Sequence, residues 1–236
     1  GRNDEALKIL RLAPKGNEYF PFYYLDYMLG TALLNKLSPE ADKYLNRYIT
    51  KFKGRNYIKD AYQKMAWIAL IKGDIVGYKQ HIQSISNHGY TDIDEDKSAQ
   101  RAVDSGEIPQ ADLLKARLLF DGGYYDKAEN LLNVTDEKRF IKHEWVLEYY
   151  YRQGRIAQAK NVTEKAIYWY TKTLENGRNN EAYFACSAAL NLGLIYEIKK
   201  DKAAASKYFG ICLNLNPSDY KNSLHQKAEA GLSRVE

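Results

Sequence analysis

The sequence lacks most of the features from which a function is usually recognised. No run approaches the 18 apolar residues of a transmembrane helix, and the first residues carry no secretory signal pattern. The 35 basic and 30 acidic residues are mixed along the chain without a polybasic block, so the net charge of +5 predicts ordinary solubility. We expect neither membrane insertion nor nucleic-acid binding, because the latter calls for a basic stripe with interleaved aromatic residues.

Catalytic and metal-binding motifs are also absent from the sequence. The phosphate loops GxGxxG and GxxxxGK, the nucleophile elbow GxSxG and the zinc motif HExxH do not occur. The four histidines are isolated, at His81, His88, His143 and His225. Catalysis would require a nucleophile, a base and an oxyanion donor together. We therefore expect no enzyme activity, no metal, no cofactor and no small-molecule substrate.

Tyrosine, by contrast, is abundant: the chain has 21 tyrosines against 7 phenylalanines and 3 tryptophans. Many are adjacent, as at Tyr23 and Tyr24 or at Tyr149, Tyr150 and Tyr151. Helix pairs in a thin array lie close to water, where an aromatic ring with a polar hydroxyl suits a half-buried seam. Interfaces also favour tyrosine, but packing is the preferred interpretation.

Residues 183–217 match one complete helical repeat. The matching residues are Leu192, Gly193, Tyr196, Ala205, Phe209 and Pro217, spaced as L-G-x2-Y, A-x3-F and a later P. The small residues Gly193 and Ala205 allow two antiparallel helices to approach closely. Tyr196 and Phe209 are predicted to fill the wider space between the same helices, and Pro217 ends the second helix.

Four more hairpins are predicted upstream, over residues 20–52, 57–86, 109–132 and 140–175. In each, a small residue of the first helix is paired with a position eleven or twelve residues later in the second. These pairs are Gly30 with Ala41, Ala66 with Tyr78, Ala116 with Ala128, and Gly154 with Ala166. Because Tyr78 replaces a small residue, we expect the second hairpin to be splayed.

The interval between the second and third hairpins is far longer than a plain repeat. It predicts an inserted helix over residues 92–105, capped by Asp92 or Asp94 and stopped by Gly106. Asp92, Asp94 and Asp96 alternate like the start of a calcium loop, but Lys97 occupies the glycine position. A helix N-terminus that favours carboxylates is the preferred explanation.

Both ends of the chain also have a helical pattern. Residues 1–14 resemble the second helix of a truncated repeat, which predicts that an upstream portion, with any targeting segment, is missing. Residues 218–236 predict a capping helix with Leu224, Ala228, Gly231 and Leu232 on one side and charges on the other. The sequence therefore predicts a single array over residues 1–236.

These repeats resemble the tetratricopeptide repeat superfamily, most strongly in the last two hairpins and least in the second. The runs YLDYMLGTALL, KARLLFDGGYYDKAENLL and DYKNSLHQKAEAGL are similar to uncharacterised bacterial repeat proteins, many from Bacteroidetes. The chain has a fainter similarity to the eukaryotic tetratricopeptide protein 39 group. The resemblance implies an all-α, right-handed superhelix in a bacterial cytoplasm or periplasm. Its concave face, lined by first helices, would hold a protein or peptide, but the Lys, Asn and Arg clamp of the chaperone-tail subgroup is lacking.

A candidate binding face follows from helical spacing, because the positions three before and one after each small residue lie on one side of the first helix. These positions are Tyr27 and Thr31, Gln63 and Trp67, Leu113 and Arg117, Tyr151 and Arg155, and Leu190 and Leu194. Trp67, Arg117 and Arg155 would form a row of side-chain types enriched in binding hot spots. The alternative is that Trp67 packs under the inserted helix and that the arginines pair with local carboxylates.

Two functions of different classes remain open. The first is a non-catalytic scaffold that binds a protein or peptide segment in the concave groove. The second is a structural or assembly subunit that uses the convex face or the ends of the array.

The two cysteines are predicted neighbours. In an antiparallel hairpin, residues whose numbers have the same sum face each other, and Cys186 with Cys212 matches Gly193 with Ala205. A disulfide would suit an oxidising compartment, whereas free cysteine is commonly buried. We favour reduced thiols because helices about 8 to 10 Å apart exceed the comfortable bridging range.

Overall fold

The computed structural model describes residues 2–14 and 18–235, and these residues form thirteen α-helices and one short 3-10 helix without any strand. The all-α prediction is therefore confirmed. The helices are α1 (Asn3–Arg11), α2 (Tyr24–Asn35), α3 (Ala41–Lys51), α4 (Ile58–Ile71), α5 (Ile75–Asn87), α6 (Asp94–Asp104), α7 (Ala111–Asp121), α8 (Tyr125–Asn133), α9 (His143–Ala159), α10 (Thr163–Gly177), α11 (Phe184–Ile198), α12 (Lys202–Asn214) and α13 (Lys221–Val235). Neighbouring helices pack consecutively, as in a helical repeat array.

The chain divides into two compact units, Gly1–Ala128 and Glu129–Glu236, and the division falls within α8. In the first unit α2 pairs with α3 and α4 pairs with α5, while the first helices α2, α4 and α7 contact one another. In the second unit α9 pairs with α10 and α11 with α12, and α13 packs on both helices of that last pair.

All nine small repeat positions are buried. They are Gly30, Ala41, Ala66, Ala116, Ala128, Gly154, Ala166, Gly193 and Ala205. Each first-helix glycine faces the large side chain one turn after the small residue of the second helix. A β-carbon added to Gly193 would lie 2.5 Å from Cδ1 of Phe209, and one on Gly154 would lie 2.7 Å from Cδ1 of Tyr170. The side chain nearest to each of these glycines thus lies one turn beyond the alanine that the sequence pairs with it.

Phe209 also contacts the final helix. A β-carbon on Gly231 of α13 would lie 2.5 Å from Cζ of Phe209, whose side chain is completely buried. The ring is thus held between a glycine of α11 and a glycine of α13. Tyr196, the other predicted filler, instead stacks on Tyr208 with ring centroids 5.5 Å apart. The capping role predicted for the last helix is consistent with the burial of Leu224, Ala228 and Gly231.

The second hairpin is not splayed, which corrects the expectation drawn from Tyr78. α4 and α5 contact each other as extensively as α11 and α12 do, and both Ala66 and Tyr78 are buried. In the turn between them Gly73 has a φ of +80°, and the Asp74 side chain accepts a hydrogen bond from the Gly77 amide at 2.8 Å.

The inserted helix is present as α6, but neither predicted aspartate caps it. Its N-cap residue is Ile93, with no side-chain hydrogen bond. Asp96 instead turns into the protein and caps a different helix, α4. Its carboxylate accepts hydrogen bonds from the Tyr57 amide at 2.7 Å and from the Asp60 amide at 3.0 Å. α6 is therefore joined to the hairpin of α4 and α5 by a buried carboxylate.

The cysteines are neighbours, as their register predicts. The Sγ atoms of Cys186 in α11 and Cys212 in α12 are 3.4 Å apart, and both side chains are buried and free. The helix separation that was expected to hold the sulfur atoms apart does not do so, because each side chain extends into the seam.

Candidate functional site

The predicted binding face separates into two sets of residues with different exposure. The positions three before the small residue are buried: Tyr27, Gln63, Leu113, Tyr151 and Leu190. The positions one after it are half-exposed: Thr31, Trp67, Arg117, Arg155 and Leu194. Only the second set offers side-chain surface to a partner.

Contacts made by Tyr27 and Tyr151 explain the burial of the first set. The Tyr27 ring packs on Tyr57, with centroids 4.7 Å apart, at the start of the next first helix in the first unit. In the second unit the Tyr151 ring lies 5.6 Å from that of Phe184, at the start of α11. These positions therefore fill the seam between successive first helices.

A polar network stabilises this seam in the first unit. The Tyr27 hydroxyl donates a 2.6 Å hydrogen bond to Asp60 Oδ2, and the Lys64 ammonium pairs with the same carboxylate. All three side chains are buried. Burial, followed by the charge of Asp60, raises the pKa of the Tyr27 phenol far above its ordinary value. Tyr27 consequently acts as a neutral hydrogen-bond donor that fixes α2 to α4.

Trp67 and Arg117 are brought together at the half-exposed surface of the first unit. The guanidinium carbon of Arg117, on α7, lies 4.5 Å from the ring centroid of Trp67, on α4. The Lys64 ammonium is 5.7 Å from the same ring. The indole is thus flanked by cationic groups from its own helix and from the next first helix.

The position of Trp67 can be compared with the alternative interpretation, in which it packs under the inserted helix α6. α6 reaches the first turn of α4, where Asp96 bonds the amides of Tyr57 and Asp60. Trp67 lies about two turns further along α4. Its ring contacts are with Arg117 and Lys64. The side-chain geometry therefore directs Trp67 toward α7.

In the second unit the half-exposed residues of the predicted binding face are Arg155 and Leu194. Arg155 Nη1 donates a 3.3 Å hydrogen bond to the Tyr151 hydroxyl, which orients the guanidinium along α9. Leu194 is half-exposed on α11, beside the buried Leu190. Here the face combines one arginine with one leucine.

Lys64 is a residue that the sequence rule missed. The rule selected only two positions in each first helix, and position 64 is neither of them. Its spacing of three from Trp67 places it on the same side of α4, which is a signal that helical periodicity could have supplied. Lys64 contacts both Asp60 and the Trp67 ring, so it connects the buried network to the surface.

The acidic candidates have structural partners. Asp92 pairs with Arg55 at 3.3 Å, and Asp94 pairs with Lys97 at 3.4 Å, while Asp96 caps α4. Within residues 2–14 and 18–235, no group of three or more histidine, cysteine or acidic side chains is arranged to hold a metal ion. No helix in that part of the chain is both long enough and apolar enough to cross a bilayer.

Comparisons with known proteins give no family for this chain. No family model matches the sequence, and no curated protein is significantly similar to it.

Proposed function

We propose that this chain is a tetratricopeptide-type scaffold, without catalytic activity, that binds a protein or peptide segment on the first-helix face of its first unit. The observation that carries the proposal is the contact between Trp67 and Arg117. It places an aromatic ring and a guanidinium from two different helices at one half-exposed position. Tryptophan and arginine are enriched among the residues that dominate binding energy.

The chemistry of this pair favours a segment with both apolar and acidic character. The indole offers apolar area with little conformational entropy to lose, and the guanidinium is already ordered by stacking against it. Lys64 lies beside the ring but is buried and paired with Asp60, so the guanidinium is the cation open to a ligand. A segment that places an apolar side chain on the indole and a carboxylate near the guanidinium would match both groups of the pair.

We expect Trp67→Ala combined with Arg117→Ala to weaken peptide binding strongly. Peptides selected from a random library against the parent protein provide the probe, and fluorescence anisotropy measures their dissociation constants. Loss of a hot spot worth about 2 kcal/mol weakens binding about 30-fold. The matched control is Tyr90→Ala combined with Arg101→Ala, which removes an exposed aromatic and an exposed arginine outside the first helices. Equal affinity of the parent and the Trp67 and Arg117 variant would refute the proposal.

A second candidate, an assembly subunit, is favoured by the apolar surface near the start of the first unit. Leu12 is 81% exposed and Phe20 is 94% exposed, and Ile9 and Phe22 are also largely exposed. Phe20 and Phe22 line a cavity of about 330 Å³ beside α2. Clusters of exposed apolar side chains commonly mark protein interaction surfaces.

This second candidate predicts self-association that depends on the exposed phenylalanines. Light scattering should show a concentration-dependent rise in molar mass for the parent, and Phe20→Ser combined with Phe22→Ser should remove it. Val76→Ser, which replaces another exposed apolar residue on α5, serves as the control. A parent protein that stays monomeric over the whole concentration range would argue against assembly through this surface.

A further inference from the structure

A second surface of the first unit is a groove with a strongly cationic rim. It has a volume of about 640 Å³ and is bounded by α1, α2 and the start of α8. Its lining includes four cationic side chains and one carboxylate: Lys8, Arg11, Lys36, Lys127 and Asp4. None of these residues belongs to the pair formed by Trp67 and Arg117, so the groove is a separate candidate site.

One oxygen of the Asp4 carboxylate accepts two hydrogen bonds. Its Oδ1 accepts hydrogen bonds from Lys36 Nζ at 2.7 Å and from the Tyr124 hydroxyl at 2.8 Å. These two bonds, with that of Lys36 the larger cause, lower the pKa of Asp4 below its ordinary value. Asp4 therefore stays ionised and compensates the charge of Lys36.

Two lysines at the rim have no ion-pair partner among the described residues. Arg11 pairs with Glu40 at 3.0 Å, but neither Lys8 nor Lys127 has a carboxylate within 4.0 Å anywhere in the described part of the chain. Lys127 lies 5.4 Å from the centre of the Tyr124 ring, which orients it beside Asp4 and Lys36. The groove thus has an excess of positive charge on flexible side chains that can adjust to an anionic ligand.

The apolar part of the lining, here called the floor, consists of Leu7 of α1 and Leu33 of α2, which are 6% and 2% exposed. A volume of about 640 Å³ lies within the range of roughly 300 to 1,000 Å³ that is usual for ligand sites. An apolar floor below a cationic rim complements a ligand that has an apolar side chain between carboxylates.

We propose that this groove binds an acidic peptide segment that contains an apolar residue. The carboxylates pair with Lys8 and Lys127 at the rim, and the apolar side chain rests on Leu7 and Leu33. A single nucleic-acid strand fits less well, because such strands stack their bases on aromatic platforms, and the floor here is aliphatic.

The test uses a fluorescein-labelled peptide of sequence EELEELEE and the whole protein, with binding measured by fluorescence anisotropy at low ionic strength. The parent should bind this peptide, and added salt should weaken binding because the rim is solvent-exposed. Lys8→Glu combined with Lys127→Glu should reduce the affinity by about tenfold or more. The neutral peptide QQLQQLQQ should not bind.

The matched control is Lys43→Glu combined with Lys79→Glu. These lysines are exposed on α3 and α5 of the same unit, and the substitutions change the net charge by the same amount. This variant should bind EELEELEE like the parent. An equal loss in both variants would attribute binding to net charge and overturn the proposal. Equally tight binding of oligothymidylate or inorganic phosphate would also overturn it, since the groove would then select charge alone. Circular dichroism and melting temperature verify that both variants fold.

Discussion

Gly193→Leu should destabilise the protein, whereas Gly210→Leu in the partner helix should not. A β-carbon at position 193 would lie 2.5 Å from the Phe209 ring. The ring cannot move away, because it also packs against Gly231 of α13. Overpacking of this kind typically costs about 1 to 3 kcal/mol. A β-carbon at position 210 meets nothing within 4 Å, so there the better helix propensity of leucine should raise stability by up to about 1 kcal/mol.

Urea unfolding followed by circular dichroism measures both effects. The comparison is closely matched, because each variant replaces one helical glycine of the same hairpin with the same residue. If the Phe209 ring is the cause, Gly193→Leu should cost less in a Phe209→Ala background than in the parent. Equal stability of the two glycine variants would show that α11 and α12 do not meet at Gly193 as described.

Asp96→Ala should lower the free energy of unfolding by about 2 to 3 kcal/mol, although Asp96 lies outside the repeats. The substitution leaves the amide groups of Tyr57 and Asp60 without their acceptor at a buried helix N-terminus. Asp94→Ala, in the same helix, is the control. Its side chain is almost fully exposed and makes only a 3.4 Å pair with Lys97, so its removal should change stability by less than about 0.5 kcal/mol.

The same carboxylate predicts a pH dependence with a definite sign. Burial is the main cause that raises the pKa of Asp96 above its ordinary value of 3.8, so the folded protein holds this proton more tightly than the unfolded chain. The contribution of Asp96 to stability therefore falls as pH rises from 3.8 through the raised folded pKa. Asp96→Asn should remove that fall. Its stability relative to the parent should increase with pH across this window, and a flat difference between the two proteins would contradict the assignment.

Much of the fold could be predicted because its signals are local. A small residue in one helix and a second position eleven or twelve residues later define a hairpin within about forty residues of chain. The surplus length between the second and third hairpins indicated α6. Such patterns can be recognised without knowledge of tertiary contacts, since the two helices of a hairpin are close in the sequence.

What the sequence did not predict depends on contacts between hairpins. Tyr27 has the spacing of an exposed position, but its hydroxyl reaches Asp60 on α4, and this contact buries it. Leu113 is buried for a related reason, because α7 packs on α2 and α4. The cationic groove is even harder to predict from the sequence. Asp4 and Tyr124, which are hydrogen-bonded beside it, are 120 positions apart in the chain. The exposed part of the candidate site, Trp67 with Arg117, could be selected by periodicity, but their mutual contact could not.

The cap that α6 provides to α4 affects how the chain reaches its native state during synthesis. Ribosomes release a chain from its N-terminus, so α4 and α5 emerge before the segment that carries Asp96. Until then the amides of Tyr57 and Asp60 can bond only to water, and the start of α4 stays frayed. The second repeat is therefore complete only after α6, which ends at Asp104, has left the ribosome, and not when the hairpin end at Asn87 emerges.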